Sequence, residues 1–226
     1  MSKLKIIGHR GARGLAPENT IASFKKALEY RVDVIEFDLR VTKDNIVIVH
    51  HDHKLLDDSA NKLRIREHNF KELKAHKDDL ITGEEAMKFL GKKLPLFIEV
   101  KQNEPVAPIV FLINKNIAAG RAISSLTVGS KSKKTLRELH RQMPAIKKGV
   151  IERWSGVRAV IRAKQVETNI IVMNQRWLWS GFISSMSRRG YDLYPYPLND
   201  VKKAGKWAKA GMAGVITDFP DRFAKR

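Results

Sequence analysis

The sequence predicts an α/β fold, a closed (β/α)8 TIM barrel with a small insertion after the second strand. Short β-branched runs alternate with stretches of helical periodicity along most of the 226 residues. Such alternation produces parallel strands joined by right-handed crossovers. Eight strand–helix units fit this length, since single barrels of this type commonly have about 200–250 residues. No strand-to-helix turn has the full glycine spacing of a dinucleotide-binding or P-loop fold.

The first two predicted strands are followed by an extra strand-like run. Residues 5–7 are predicted to form the first strand, residues 20–30 the first helix and residues 32–39 the second strand. A further β-branched run at residues 45–49 comes only five residues later. A parallel crossover needs about a dozen residues, so this run is either a hairpin partner or an antiparallel side piece.

The remaining elements bring the number of barrel strands to eight. Further strands are predicted at residues 94–100, 122–128, 146–151, 169–172, 192–196 and 214–217, and helices at residues 82–90, 106–116, 133–142, 157–164, 176–189 and 200–210. Thr82 is expected to cap its helix, with Glu85 three residues later. Residues 53–80 fit no barrel unit and are rich in charge, which indicates a small insertion beside the barrel mouth. No linker divides the chain, so we expect one domain over residues 1–226.

The composition excludes several classes of site. The chain has no cysteine, which rules out disulfides, thiol catalysis and cysteine-ligated zinc or iron–sulfur centres. No apolar run approaches the roughly 18 residues of a membrane span, and no signal-peptide core follows the first residues. We therefore expect a cytoplasmic protein.

The net charge of +19, from 43 basic and 24 acidic residues, admits two interpretations. A positive field concentrates nucleic acid, anionic membranes or anionic small substrates. The basic residues are scattered in pairs, however, and form no block of five or six. A solvated surface with a basic bias explains most of them. We expect no nucleic acid as partner, while weak association with anionic membranes stays open.

Candidate reactive residues follow consecutive strands at their carboxyl ends, where barrel enzymes place their sites. They are His9 and Arg10 after the first strand, Glu36 and Asp38 in the second, His50 and His51 after the hairpin run, and Glu99 and Lys101 at the third barrel strand. Carboxylates that face inward from adjacent strands repel one another and are costly to bury without a cation. Oxygen ligands of this kind favour magnesium or calcium over zinc.

These residues lie in motifs that resemble the glycerophosphodiester phosphodiesterase family. The motifs are Gly8-His9-Arg10-Gly11, Ala16-Pro17-Glu18-Asn19-Thr20, Glu36-Phe37-Asp38, His51-Asp52, Phe97-Ile98-Glu99-Val100-Lys101 and the run from Gly214 to Asp221. The resemblance spans nearly the whole chain, is dense over residues 7–52 and around Glu99, and is thin over residues 116–191. It implies a phosphodiesterase barrel with a small insertion.

The resemblance also implies a role for each site residue. Glu36, Asp38 and Glu99 become ligands of a divalent metal ion, Mg2+ or Ca2+; His9 and His51 become the general acid and base; Arg10 and Lys101 contact the phosphate. His51 is preferred to His50 because the family's histidine is followed directly by aspartate, and neighbouring side chains on a strand point to opposite faces. Which histidine is the acid stays open, as does the choice between direct attack by water and a cyclic phosphate intermediate.

The implied activity is metal-dependent hydrolysis of glycerophosphodiesters, such as glycerophosphocholine or glycerophosphoethanolamine, to an alcohol and sn-glycerol 3-phosphate. The partner would be a small-molecule phosphodiester; the oligomeric state is undetermined. Two alternatives are a lysophospholipase D-type reaction and a basic module that binds nucleic acid or anionic membranes.

Other residues have two interpretations. Asn19 either supports the region of Glu36 and His9 or caps a helix. Trp177 and Trp179 either line the barrel mouth or pack between helices, and the second is favoured. The chain also departs from the family pattern at residues 55–59 and at Pro197, although Tyr196 can still form a wall of the pocket.

Overall fold

Eight parallel strands form a nearly closed barrel in the computed structural model, which describes residues 4–56 and 62–224. The strands are β1 (Lys5–Gly8), β2 (Val34–Val41), β3 (Val47–Val49), β4 (Lys54–Leu56), β5 (Lys62–Arg64), β6 (Leu96–Val100), β7 (Leu126–Ser130), β8 (Lys147–Glu152), β9 (Ile170–Asn174), β10 (Asp192–Tyr196) and β11 (Gly214–Thr217). The helices are α1 (Ile21–Glu29), α2 (Phe70–Ala75), α3 (Gly83–Phe89), α4 (Val106–Ala118), α5 (Lys133–Gln142), α6 (Gly156–Gln165), α7 (Ser180–Arg188) and α8 (Val201–Lys209). The predicted (β/α)8 barrel is confirmed.

The order of the barrel strands is β10-β9-β8-β7-β6-β2-β1-β11, and all of these neighbours pair in parallel. The barrel closes between its last two strands, where the amide of Ala213 donates to the carbonyl of Leu193 at 3.2 Å. All eight carboxyl ends therefore lie at one end of the barrel, the mouth.

The extra run after the second strand is the antiparallel side piece. In β3, Val49 pairs with Leu39 of β2 and Val47 pairs with Val41. Asn45 makes the tight turn possible with a φ of 62°, a backbone conformation that asparagine tolerates better than most residues.

The segment between β3 and α3 has a hairpin and a helix of its own. Strands β4 and β5 pair with each other, and α2 follows them. Buried apolar side chains of this segment, together with Ile48 of β3, form a separate cluster that also contains Leu55, Ile65, Leu73 and Leu80. Residues 57–61, which include part of the departure from the family pattern at residues 55–59, lie outside the described residues.

Most predicted boundaries agree with the structure to within about two residues, but two predicted elements start too early because a short 3-10 turn precedes the regular element. Residues 123–125 form such a turn, so β7 begins at Leu126. Residues 175–177 form another, so α7 begins only at Ser180. The predicted cap of α3 is confirmed: the amide of Glu85 donates to Thr82 Oγ1 at 3.1 Å, and the amide of Thr82 donates to Glu85 Oε2 at 2.7 Å.

A layer of apolar side chains fills the barrel interior below the mouth. It consists of Ile7, Phe97, Ile151, Val172, Tyr194 and Ile216. Phe97 fits because its neighbours on β7 and β8 are glycines, and a Cβ on Gly129 or Gly149 would lie 2.8 or 2.6 Å from its ring. None of the helices in the described part of the chain is long and apolar enough to cross a membrane.

Candidate active site

Three buried carboxylates meet at the mouth of the barrel. The register of β2 against β6 places Asp38 beside Glu99, and Glu36 lies on the same face of β2 two residues earlier. Ligand oxygens of Glu36, Asp38 and Glu99 lie within 4.8 Å of one another, and all three residues are buried. So close a group of anions requires compensating positive charge.

Three cations meet this group directly, and the first, Lys131, has its Nζ 3.2 Å from Glu99 Oε1. Lys101 Nζ lies 2.6 Å from Asp38 Oδ1 and 2.9 Å from Glu99 Oε1. The backbone amide of Arg10 donates to Glu36 Oε2 at 2.8 Å, and its Nε lies 3.2 Å from Asp38 Oδ2. Arg10 has a φ of 50°, in the left-handed region. An arginine in this uncommon conformation is held by contacts that serve the site.

The carboxylates differ in how readily they bind a proton. Burial, together with the charges of Asp38 and Glu99, raises the pKa of Glu36 to about 8. Burial opposes ionisation of Asp38 as well, but Lys101 and Arg10 outweigh it and hold the pKa of Asp38 well below its usual range. The group therefore favours a further cation, a proton on Glu36 or a metal ion. A buried, oxygen-only donor set of this kind fits a hard divalent ion.

His9 is buried and held by an aspartate from the opposite end of the chain. Its Nδ1 lies 2.6 Å from Asp218 Oδ1, and Asn199 Nδ2 donates to the other Asp218 oxygen at 2.9 Å. Burial lowers the pKa of His9, although Asp218 opposes the shift. With Nδ1 engaged by a carboxylate, Nε2 is the nitrogen left to exchange a proton.

His51 and His50 are turned to different partners. His51 Nδ1 lies 2.8 Å from Asp52 Oδ1, whereas His50 Nε2 lies 3.3 Å from the carbonyl of Lys54. Burial lowers the pKa of His51, while the charge of Asp38 acts in the opposite direction. Of the two histidines, only the pKa of His51 is affected by the charge of Asp38.

Tyr196 forms one wall of a small cavity beside these groups. The cavity is lined by His9, Glu36, Phe97, Glu99, Ile151, Val172, Tyr196 and Ile216. The Tyr196 ring meets His9 edge to face, with 6.5 Å between centroids. Burial and the charge of Glu99 raise the pKa of Tyr196 to about 12, so its hydroxyl stays protonated near neutral pH.

A sequence model of the glycerophosphoryl diester phosphodiesterase family matches residues 9–222, which include every strand-end residue described above. The chain belongs to this family. This match confirms the resemblance seen in the sequence motifs, and the family is one of phosphoric diester hydrolases. Its members share this barrel.

Relatives and solved structures agree with the family assignment. A glycerophosphodiester phosphodiesterase of Caldanaerobacter subterraneus is 27% identical over 97% of this chain and 96% of its own. A human lysophospholipase D is 34% identical, but over only 50% of this chain and 37% of its own. The structure of an Oleispira antarctica phosphodiesterase in complex with the product sn-glycerol-3-phosphate has a TM-score of 0.85, with 22% identity and coverage of 96% and 94%.

The site of this family member contains residues that sequence reasoning did not assign. Asp218 and Asn199 hold His9, and the strand-end rule could have drawn attention to Asp218 because it follows β11 directly. Arg40 donates to the carbonyl of His51 at 2.9 Å and to Glu104 at 2.6 Å. The alternation that selected Glu36 and Asp38 also points to Arg40, two residues further along β2.

Two further observations bear on the open interpretations of Asn19 and of the tryptophans. Asn19 Nδ2 donates to Asp38 Oδ2 at 2.9 Å, so Asn19 supports the carboxylate group through Asp38 rather than through Glu36. The expectation that Trp177 and Trp179 pack between helices is wrong, because both side chains are largely exposed. They follow the carboxyl end of β9, in the region of the mouth.

Proposed function

We propose that the chain hydrolyses glycerophosphodiesters, such as glycerophosphocholine or glycerophosphoethanolamine, to an alcohol and sn-glycerol 3-phosphate with a divalent metal ion. The observation that carries this proposal is the group of three buried carboxylates beside Arg10 and Lys101. A related phosphodiesterase binds sn-glycerol-3-phosphate as its product, which supports the same product here.

Glu36, Asp38 and Glu99 would hold the metal, Mg2+ or Ca2+. The fit rests on their donor atoms, which are buried carboxylate oxygens within 4.8 Å of one another. Burial and the neighbouring carboxylates raise the pKa of Glu36 to about 8, and this supports a site that gains from a further positive charge. When bound, the metal supplies a Lewis acid that stabilises negative charge on a phosphoryl oxygen.

Arg10 and Lys101 would bind the phosphate. Charge accumulates on the phosphoryl oxygens during displacement, and fixed cations in a site shielded from water stabilise it strongly. Both side chains are already held by Asp38, so little ordering is needed when the substrate arrives. The guanidinium can also orient the phosphate through paired hydrogen bonds.

His9 and His51 would move the protons. One histidine removes a proton from the attacking oxygen, and the other donates a proton to the departing alcohol oxygen. Asp218 orients the ring of His9 and Asp52 that of His51, each through Nδ1. From a p-nitrophenyl phosphodiester, p-nitrophenolate leaves without being protonated. Only the variant that lacks the acid should therefore regain activity on that substrate, and this assigns the two roles.

The experiment that tests the proposal measures sn-glycerol 3-phosphate release from glycerophosphocholine and glycerophosphoethanolamine with Mg2+, Ca2+ or EDTA. Glu36→Ala is compared with Glu29→Ala, a matched change of an exposed glutamate on α1. We expect turnover that requires metal, is abolished by Glu36→Ala and is retained by Glu29→Ala. Turnover that persists in EDTA, or absence of turnover in a folded protein with either metal, contradicts the proposal.

A second candidate is lysophospholipase D-type hydrolysis, as named for the human relative. The exposed tryptophans of the β9 loop favour it because they offer apolar surface beside the mouth. Release of the headgroup alcohol from lysophosphatidylcholine, at higher kcat/KM than from glycerophosphocholine, would establish this substrate class.

A further inference from the structure

The loops after β8 and β9 expose large apolar side chains at the barrel mouth. Trp154, Val157, Trp177 and Trp179 have 51%, 72%, 52% and 63% of their surface exposed, and we call these four residues the tryptophan rim. Contiguous exposed apolar side chains are uncommon on soluble proteins and mark contact surfaces. We infer that the tryptophan rim docks the enzyme on an anionic lipid bilayer with the mouth facing the membrane.

The two loops form one continuous surface. A Cβ on Gly156 would lie 2.6 Å from the ring of Phe182, so the start of α6 packs directly on α7. The Phe182 ring in turn lies 5.4 Å from that of Trp179. The rim therefore extends from the end of β8 to the end of β9, on the same end of the barrel as His9 and the carboxylates.

A buried glutamate fixes the first of these loops. Glu152, the last residue of β8, accepts the backbone amides of Arg153 at 2.9 Å and Trp154 at 3.4 Å. Arg158 donates to the same oxygen at 3.0 Å. Arg162 pairs with the other oxygen at 3.2 Å and donates to the carbonyl of Lys131 at 3.0 Å. The loop that carries Trp154 is thus anchored while its indole stays in solvent.

The charge around the rim complements an anionic surface. Arg153 and Arg176 directly precede Trp154 and Trp177 in the chain, and residues 153–165 and 175–191 contain no acidic residue. The Arg153 guanidinium lies 4.9 Å from the Trp154 ring centre. Tryptophan is enriched at the headgroup level of bilayers, and nearby cations are attracted to anionic lipids.

An acyl layer suits this surface better than a nucleic acid does. Tryptophan and arginine can also stack on the bases of single-stranded RNA. Val157 is the most exposed member of the rim, and an aliphatic side chain gains from insertion among lipids but cannot stack. A single-stranded RNA is therefore a competitor in the test rather than the expected ligand.

Tryptophan fluorescence can report insertion of the rim into a bilayer. Three of its four tryptophans belong to the rim, and the fourth, Trp207, is buried on α8. We expect vesicles of phosphatidylglycerol and phosphatidylcholine to shift the emission to shorter wavelength, and lipids brominated on the acyl chain to quench it. Binding should weaken as salt is raised, because the attraction is partly electrostatic. An emission spectrum that no anionic vesicle changes would overturn the inference.

Paired variants distinguish vesicle binding through the rim from attraction by the general basic charge. We expect Trp154→Ser/Trp177→Ser/Trp179→Ser to weaken vesicle binding, measured by flotation, about tenfold or more, because the apolar insertion is lost. Phe111→Ser, which changes an equally exposed aromatic residue on α4, should have little effect. Circular dichroism confirms that each variant is folded.

Charge variants complete the test. Arg153→Gln/Arg176→Gln should weaken binding by about 25-fold, at about fivefold for each cation near the surface. Arg188→Gln/Arg189→Gln removes the same charge at the far end of α7 and should change binding much less. Equal losses in the two pairs, or RNA that binds more tightly than vesicles and loses affinity in the same variants, would overturn the assignment. Docking is measured without catalysis, so its failure is distinguishable from failure of the proposed function.

Discussion

Side chains at the barrel mouth are buried and paired on one side and exposed to solvent on the other. The ends of β1, β2 and β6 bury charged groups and connect each of them to a partner, as Asp38 shows with Arg10 and Lys101. The loops after β8 and β9 leave tryptophans and arginines in solvent. Groups that stabilise a reacting phosphate must be fixed before it arrives. Groups that meet another surface must be accessible, so the two sides suit two different tasks.

The largest expected effect is on the buried side. Asp38→Asn removes the charge that compensates Arg10 and Lys101, and we expect kcat/KM to fall at least about 10³-fold, since charge stabilisation and metal binding are both lost. Removing one partner of a buried ion pair should also lower the free energy of unfolding by about 3–5 kcal/mol. Asp78→Asn, on the exposed surface, is the control. Urea denaturation and initial rates measure both quantities, and a variant with wild-type rates would refute the role of Asp38.

The second largest effect on the rate is expected for His51 and not for its neighbour His50. His51→Gln should lower kcat about 10²–10⁴-fold, the usual contribution of general acid or base catalysis. His50→Gln should leave the rate nearly unchanged because its ring contacts the carbonyl of Lys54. Comparable losses in both variants would show that the hairpin as a whole, rather than His51, is required.

Asp218→Asn tests the hydrogen bond that orients His9. Asp218 raises the pKa of His9 against the effect of burial, so its neutralisation should lower that pKa further. We expect kcat to fall roughly 10–100-fold, within the range for loss of an orienting partner. The limb of the pH profile that belongs to His9 should move to lower pH. A lower rate with an unmoved profile would mean that Asp218 acts only on the fold.

Metal affinity should depend on pH through Glu36. Its pKa of about 8 means that the carboxyl carries a proton at lower pH, and a metal ion must displace that proton. The apparent Kd for Mg2+ or Ca2+ should therefore rise by roughly tenfold for each pH unit below 8 and level off above it. Calorimetry in buffers of different ionisation heat measures the released proton directly. A Kd that is constant between pH 6 and 8 would contradict this coupling.

The smallest effect on catalysis is expected at Glu152, a buried carboxylate at the end of β8 rather than β2. Its partners are Arg158, Arg162 and the loop amides, and none of the described contacts joins Glu152 directly to the carboxylate group. Glu152→Gln should lower the free energy of unfolding by about 1–2 kcal/mol, because the arginine partners stay partly solvated while hydrogen bonds to a buried carboxylate are weakened. kcat/KM should change less than about threefold. A loss of kcat/KM as large as that of Glu36→Ala would contradict the assignment of different tasks to the two sides of the mouth.

The sequence allowed the fold and the position of the site to be predicted, because both depend on local patterns. Alternation of strands and helices predicts the barrel, and the strand-end rule brings together Glu36, Asp38 and Glu99. The partner of His9 was not predicted, since the contact with Asp218 joins residues 209 positions apart. The exposure of Trp177 and Trp179 was also missed, because aromatic residues are mostly buried and their spacing does not tell which face is covered.

The contact between His9 and Asp218 has a consequence for protein synthesis. The ribosome makes the chain from its amino terminus at about 5–20 residues per second, so β1 emerges long before β11. Until β11 has been made, β1 lacks one of its two neighbours in the sheet, and His9 lacks the aspartate that orients it. A nascent chain can thus carry Glu36, Asp38 and Glu99 without an ordered His9. With the role proposed here for His9, full hydrolytic competence arises only when the last strand of the barrel has joined the first.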